Sequence, residues 1–161
     1  MRGRDRSLKG KRIARGFTLI EAMIVTVIVA ILAAIAMPLF ASYREKAQIA
    51  VAISAIRVIE QTVTGHFIDE GDYPDGLADV GLGTLKDPWG QPYRYFKIYG
   101  LGKKATGGAR KDRFMVPINT DFDLYSMGPD GASTSALTAK ASQDDIIRAN
   151  DGGYVGTAAG Y

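Results

Sequence analysis

Twenty consecutive residues near the start of the chain, Phe17–Ala36, constrain its structure more strongly than any other feature. They are almost entirely apolar and include a single charged residue, Glu21. A helix rises ~1.5 Å per residue, so twenty helical residues span ~30 Å, which is the thickness of the hydrocarbon core of a bilayer. The segment therefore predicts a helix that is able to cross a membrane.

The positive charge of the chain is concentrated on the N-terminal side of this apolar segment. The first fifteen residues contain seven arginines and lysines and one aspartate, a net charge of +6, whereas the whole chain carries +3, which leaves −3 for the remainder. The remainder gives no electrostatic reason to expect nucleic-acid binding. Basic residues that flank a membrane helix stay on the cytoplasmic side, so the C-terminal part is expected to face outward.

A cleaved secretory signal peptide is the simplest alternative interpretation of this N-terminus. The basic start, the apolar run and the small residues of Ala34–Ala36 all suit one. However, the run is long for a signal peptide and has a carboxylate near its start. Apolar residues also continue beyond it at helical spacing, at Ile49, Ile53, Ile56, Val63 and Phe67. We therefore favour one retained helix over residues 17–67, about 75 Å long, with its first half in lipid and its second half against a domain.

A specific motif stands at the junction between the basic leader and the apolar run. Gly16 is followed directly by Phe17, and the fifth residue after the glycine is Glu21. This pattern resembles the class III signal of type IV pilins and of the pseudopilins of type II secretion systems. The resemblance implies that a prepilin peptidase removes residues 1–16 by cutting after Gly16, and then methylates the new N-terminus at Phe17. It also implies that the apolar segment is retained.

The same resemblance gives Glu21 a role in assembly. A carboxylate near the membrane interior is costly unless it is paired or neutral. In a filament of parallel helices, Glu21 would pair with the Phe17 amine of a neighbouring copy, and breaking one half of such a buried pair costs ~3–5 kcal/mol. The alternative is that Glu21 lies at the membrane edge and reaches water. Pro38 either marks a position where the helix loosens inside the filament or kinks the helix at the membrane exit.

The residues after the helix, 68–161, have the turn-rich pattern of a small β-sheet domain. Gly100–Lys111, rich in glycine and lysine, is predicted to be a solvated loop. We predict an α+β architecture, the pilin fold, in which a small antiparallel sheet packs on the C-terminal half of the long helix and a loop follows the sheet. The predicted strands are Tyr93–Tyr99, Arg113–Ile118 and Asp121–Met127.

Two blocks of this head, Asp87–Tyr93 and Asp123–Gly131, resemble the major pseudopilin of type II secretion systems. The resemblance implies a calcium ion in the loop after the last strand. Calcium takes oxygen ligands, whereas zinc or iron would lack ligands in a chain with no cysteine and one histidine. The ligands implied are the carboxylates of Asp130, Asp144 and Asp145 and the main-chain carbonyls of Met127 and Ala132.

The loop Ala132–Gln143 is longer than the family pattern, which is a departure from the resemblance. Without calcium, Asp130 would cap a tight turn, and Asp144 and Asp145 would begin a short helix, where carboxylates are favoured. Both interpretations stay open at this point.

The sequence favours a structural protein over an enzyme. Its only histidine, His66, has no catalytic constellation around it in the sequence. The resemblance implies a homopolymer that assembles with other pseudopilins. It places a single-pass subunit in inner-membrane lipid before assembly, with its head in the periplasm and with a prepilin peptidase and an inner-membrane assembly platform as partners. A type IV pilus subunit at the cell surface and a secreted binding protein with a signal peptide are the alternatives.

Overall fold

The computed structural model describes residues 16–102 and 106–161, so the basic leader at positions 1–15 lies outside the described residues. One long helix, α1, runs over Leu19–Glu70. The chain divides into two compact units after Ser42. The first unit contains the N-terminal part of α1, and the second contains the rest of α1 and the remainder of the chain.

A four-stranded antiparallel sheet follows the helix in the second unit, and each strand pairs with the next one along the chain. Tyr95 lies opposite Leu124, and Tyr125 lies opposite Ile147. The strands are β1 Arg94–Lys97, β2 Phe122–Ser126, β3 Ile146–Ala149 and β4 Tyr154–Thr157. One-turn 3₁₀ helices occur at Thr106–Gly108, Lys140–Ser142 and Ala158–Gly160.

The sheet is covered by apolar side chains on both faces, because successive residues of a strand point to opposite sides. One face packs on α1, with Ala52, Ile56, Ile59 and Val63 against a cluster that includes Tyr93, Phe122, Leu124 and Ile146. The other face carries a smaller cluster formed by Ile118, Leu137, Ile147, Ala149 and Ala158. The predicted α+β fold, with a small antiparallel sheet on a long N-terminal helix, is confirmed.

A buried arginine on β3 connects the sheet to the helix. Arg148 is 3% exposed and donates from Nε to Glu60 Oε1 at 2.8 Å. Its two terminal nitrogens donate to the two carboxylate oxygens of Asp121 at 2.8 and 2.6 Å. The guanidinium also lies over the ring of Phe122, 4.0 Å from its centroid. The guanidinium on β3 therefore binds both α1, through Glu60, and the residue directly before β2, Asp121.

Three sequence-based assignments in the head are wrong. Arg113–Ile118 is an irregular segment, since Pro117 has no N–H to donate to a ladder and Phe114 is 91% exposed. Two strands were missed, β3 and β4, which form a hairpin around Asn150 and Asp151 at positive φ. The predicted solvated loop Gly100–Lys111 includes positions 103–105, which lie outside the described residues, and in its described part Ala109 and Arg110 are buried.

Candidate functional site

The start of α1 is closed by reciprocal hydrogen bonds between Thr18 and Glu21. The Glu21 N–H donates to the Thr18 hydroxyl oxygen at 3.3 Å, and the Thr18 N–H donates to Glu21 Oε2 at 3.4 Å. This is a capping box, in which two side chains satisfy N–H groups at a helix start. The Thr-x-x-Glu spacing of a capping box is present in the sequence. It overlaps the motif that resembles the pilin signal, so this second role of Glu21 was not predicted.

Gly16 and Phe17, the residues on either side of the predicted cut, precede α1 in an exposed segment without regular structure. The carboxylate of Glu21 lies in the first turn of the helix, where the partial positive charge of the helix end favours an anion. The cut would therefore create its new amine close in sequence to a carboxylate held at the helix start. Cleavage after Gly16 and methylation of Phe17 stay predictions.

The large apolar side chains of residues 17–40 are all exposed within the first unit, by 49 to 81%. An apolar surface of this extent marks a membrane or protein interaction. The described residues contain one helix that is long and apolar enough to cross a membrane. α1 continues through Pro38, so the expectation that the helix loosens or kinks there stays a prediction.

A buried carboxylate joins the two sequence blocks of the head. Asp87 Oδ1 accepts from the N–H groups of Trp89 and Gln91 at 3.0 and 2.8 Å, which closes the turn of the first block. Its other oxygen accepts from the Ser126 hydroxyl at 2.5 Å, and Ser126 Oγ accepts from the Gly128 N–H at 3.1 Å. The first block therefore fixes the end of β2 and the turn that follows it.

Two of the predicted calcium ligands meet at this turn. The Asp130 N–H donates to Asp144 Oδ2 at 3.3 Å, and Asp130 Oδ1 accepts from the Ala132 N–H at 2.8 Å. Gly128 has a φ of +65°, and a Cβ there would collide with the Asp144 carbonyl oxygen. The predicted main-chain ligands Met127 and Ala132 flank the turn on either side. Asp130 thus forms a tight turn of its own, as one of the two interpretations expected.

The third predicted ligand, Asp145, is engaged elsewhere. Its carboxylate is fully buried, and Oδ2 accepts from Arg110 Nη2 at 2.5 Å and from the Ser133 hydroxyl at 2.6 Å. Burial raises the pKa of the Asp145 carboxyl, and the bonds from Ser133 and Arg110 oppose that rise. Asp145 is followed directly by β3, so the expected short helix does not form at this position.

Comparison with known proteins decides the family. The profile described as the prokaryotic N-terminal methylation motif matches residues 11–37. A fimbrial protein of Neisseria meningitidis serogroup A is 37% identical over 90% of this chain and 85% of its own length. The type II secretion system core protein G of Pseudomonas aeruginosa is 33% identical over 75% of this chain and 87% of its own length, and that of Aeromonas hydrophila is 29% identical over the same shares.

The chain belongs to the type IV pilin-like family. No solved structure matches it significantly. Membership of the pilin-like family makes the protein a structural subunit that assembles into a filament, which confirms the predicted non-enzymatic role. With the methylation motif, the apolar helix indicates a single-pass membrane anchor.

The structure does not bring together the three carboxylates that the resemblance to the major pseudopilin implies as calcium ligands. Asp130 and Asp144 meet at the turn, whereas Asp145 faces a guanidinium. In residues 16–102 and 106–161, no three acidic, histidine or cysteine side chains are grouped so that they could hold a metal. Calcium binding by this pilin-like protein stays a prediction, and the geometry gives Asp145 another partner.

Proposed function

We propose that the protein is a subunit of the pseudopilus of a type II secretion system. It would be anchored in the inner membrane by α1, with its head in the periplasm, and would polymerise with its own copies and with other pseudopilins. A prepilin peptidase would remove residues 1–16, and an inner-membrane assembly platform would draw the subunit out of the lipid into the filament. The filament would support export of proteins across the outer membrane.

The junction between the two head blocks is the observation that carries this proposal. Asp87 and Ser126 lie 39 positions apart in the chain, yet their side chains share a buried hydrogen bond. The two blocks that resemble the major pseudopilin therefore meet in the folded head. The similarity to two core G proteins over most of their length supports the same assignment.

The proposed assembly step follows from the chemistry at the start of α1. Removal of the leader leaves a positively charged amine on Phe17, and a filament of parallel helices brings it to Glu21 of a neighbouring copy. Each charge offsets the desolvation of the other in an interior without water, and leaving one unpaired costs ~3–5 kcal/mol. The capping box supports this step because it holds the carboxylate at the helix start.

Glu21→Gln tests the assembly step. We expect normal cleavage, shown by a mature N-terminus at Phe17, together with loss of filaments and of secretion across the outer membrane. Glu45→Gln is the matched control, because Glu45 is an exposed carboxylate on the same helix beyond the apolar segment. Filaments at wild-type yield in Glu21→Gln would refute the pairing, and a mature N-terminus at Met37 would show an ordinary signal peptide instead.

A surface type IV pilus is the second candidate function. The fimbrial protein of Neisseria meningitidis aligns with 90% of this chain, a larger share than the secretion protein of Pseudomonas aeruginosa does. A deletion strain separates the two. Loss of exported proteins without loss of surface fibres supports the pseudopilus, whereas loss of long surface fibres with normal export supports the pilus.

A further inference from the structure

A buried arginine, Arg110, binds Asp145, which is one of the calcium ligands that the resemblance to the major pseudopilin implies. We propose that the guanidinium of Arg110 is the built-in cation of the C-terminal loop, so that folding of this head does not depend on calcium. The inference concerns the head alone and goes beyond the proposed function, because a calcium-independent head is compatible with either kind of filament.

The contacts of Arg110 are those of a cation that organises a loop. The side chain is 3% exposed, and Nη2 pairs with Asp145 at 2.5 Å. Nη1 donates to the Ser133 hydroxyl at 2.5 Å, and that hydroxyl donates to the same Asp145 oxygen at 2.6 Å. The guanidinium lies 4.1 Å from the ring centroid of Tyr125 on β2. One side chain thus holds the loop, the start of β3 and the neighbouring strand together.

The main chain at Arg110 is fixed as firmly as its side chain. Its N–H donates to Asp123 Oδ2 at 2.5 Å, and its carbonyl accepts from the Ile118 N–H at 3.0 Å. Asp123 is itself buried, and its second oxygen accepts from the Asn119 amide at 2.8 Å. The backbone that carries the guanidinium is therefore held in place by hydrogen bonds, so less conformational freedom is lost when the guanidinium binds Asp145.

The loop that is longer than the family pattern supplies its own anchors. Within Ala132–Gln143, the Ser142 hydroxyl donates to the Thr134 carbonyl at 3.0 Å and accepts from the Thr134 N–H at 2.9 Å. Leu137 is buried, and its N–H donates to the Lys111 carbonyl at 3.0 Å. The added residues are packed against the segment that carries Arg110, and they bring Ser133 to the ion pair.

Electrostatics argue against a second cation at the same carboxylate. Asp145 Oδ1 is buried and has no hydrogen-bond partner among the described residues. A divalent ion placed there would lie beside the guanidinium, and the repulsion between like charges is strong where water is excluded. A single buried arginine already balances the Asp145 charge and supplies N–H donors directed at its oxygen.

Thermal melting of the full mature chain in detergent tests the proposal. The single tryptophan, Trp89, packs against the head core and reports its unfolding. We expect the same Tm in a calcium chelator and in millimolar calcium. If the folded head bound calcium, a calcium concentration about 100 times the Kd would raise the Tm by about 10 °C. We also expect no stoichiometric calcium in the dialysed protein by elemental analysis.

Two variants test the arginine itself. Arg110→Met should lower the Tm by about 10–20 °C, because it leaves Asp145 buried and unpaired. Arg113→Met, an exposed arginine in the same segment, is the matched control and should change the Tm little. Adding Asp145→Asn to Arg110→Met should recover part of the loss, since the uncompensated charge is then removed.

A Tm that falls in chelator, or one calcium ion per chain after dialysis, would overturn the inference. A Tm of Arg110→Met equal to that of the Arg113→Met control would overturn it too. If Arg110→Met does not fold, the chelator experiment on the wild-type chain still decides. A calcium-dependent head that supports secretion would sink this inference and leave the proposed function intact.

Discussion

Arg148 provides the most direct test of how the head is held on its helix. Replacing it with methionine keeps an unbranched side chain but removes the cation shared by Glu60 and Asp121. Both carboxylates are only 15% exposed. Without Arg148, Asp121 has no ion-pair partner among the described residues, whereas Glu60 keeps its pair with Arg57 at 3.0 Å. Removing one partner of a buried ion pair costs ~3–5 kcal/mol. For a head of this size, that loss lowers the Tm by about 10–20 °C.

The assay is thermal unfolding of the full mature chain in detergent, followed by Trp89 fluorescence. Lys97→Met is the control, because Lys97 also binds two carboxylates, Asp72 at 2.9 Å and Asp75 at 3.2 Å, but both of those are exposed. Exposed ion pairs contribute little to folding stability, so the Tm of Lys97→Met should differ from that of the wild type by less than about 4 °C.

A third variant separates charge from packing. Adding Glu60→Gln and Asp121→Asn to Arg148→Met neutralises the two carboxylates, so it should recover part of the lost Tm if uncompensated charge is the cause. If Arg148→Met melts within a few degrees of wild type, the helix and sheet are held by apolar packing alone. If the triple variant is no more stable than the single one, the loss comes from the contact between Arg148 and Phe122.

Two further predictions concern the β3–β4 hairpin. Gly152→Ala should destabilise the head more than Gly71→Ala does, by about 1–3 kcal/mol in denaturant melts; both glycines have positive φ, but only at Gly152 would a Cβ collide with Glu60. Equal losses would contradict this. For Asp151, burial raises the pKa, but hydrogen bonds, chiefly from the Thr120 N–H and hydroxyl, bring it below its usual value of 3.8. Its stabilisation is therefore present above pH 3.8 and is lost as the pH falls through the lower folded-state pKa. Asp151→Asn should cost less than about 1 kcal/mol at pH 7, because the side chain is exposed, and the difference should vanish in acid melts. A difference that persists in acid would contradict the assignment.

The helix and the first sheet pair were predictable from sequence because they depend on local patterns. Apolar residues at helical spacing gave α1, and alternation gave β1 and β2. β3 was missed because Arg148 interrupts a short apolar run, and its burial depends on Glu60, which is 88 positions away. The Asn-Asp-Gly-Gly turn at residues 150–153 was a readable hairpin signal.

The motif residues at the N-terminus were also predictable, whereas the partner of Asp145 was not. The spacing of Gly16, Phe17 and Glu21 is a contiguous pattern that sequence alone displays. Arg110 stands in a glycine- and lysine-rich segment typical of solvated loops, and its partner lies 35 positions further along the chain. A long-range ion pair of this kind leaves no periodic trace, so the local composition predicted a solvated loop at Arg110, and the family resemblance implied a metal ligand at Asp145.

The capping box gives the acid of α1 a provisional partner. A subunit that waits in lipid does not have to hold a bare carboxylate, because the Thr18 amide and hydroxyl share it through long bonds of 3.4 Å. Such bonds are weak and easily exchanged. A neighbour's ammonium group would take over the same oxygen with a stronger, charge-assisted contact. Under the proposed pairing, entry into the fibre would be an exchange of partners, and one acidic residue would serve both the solitary and the polymerised states.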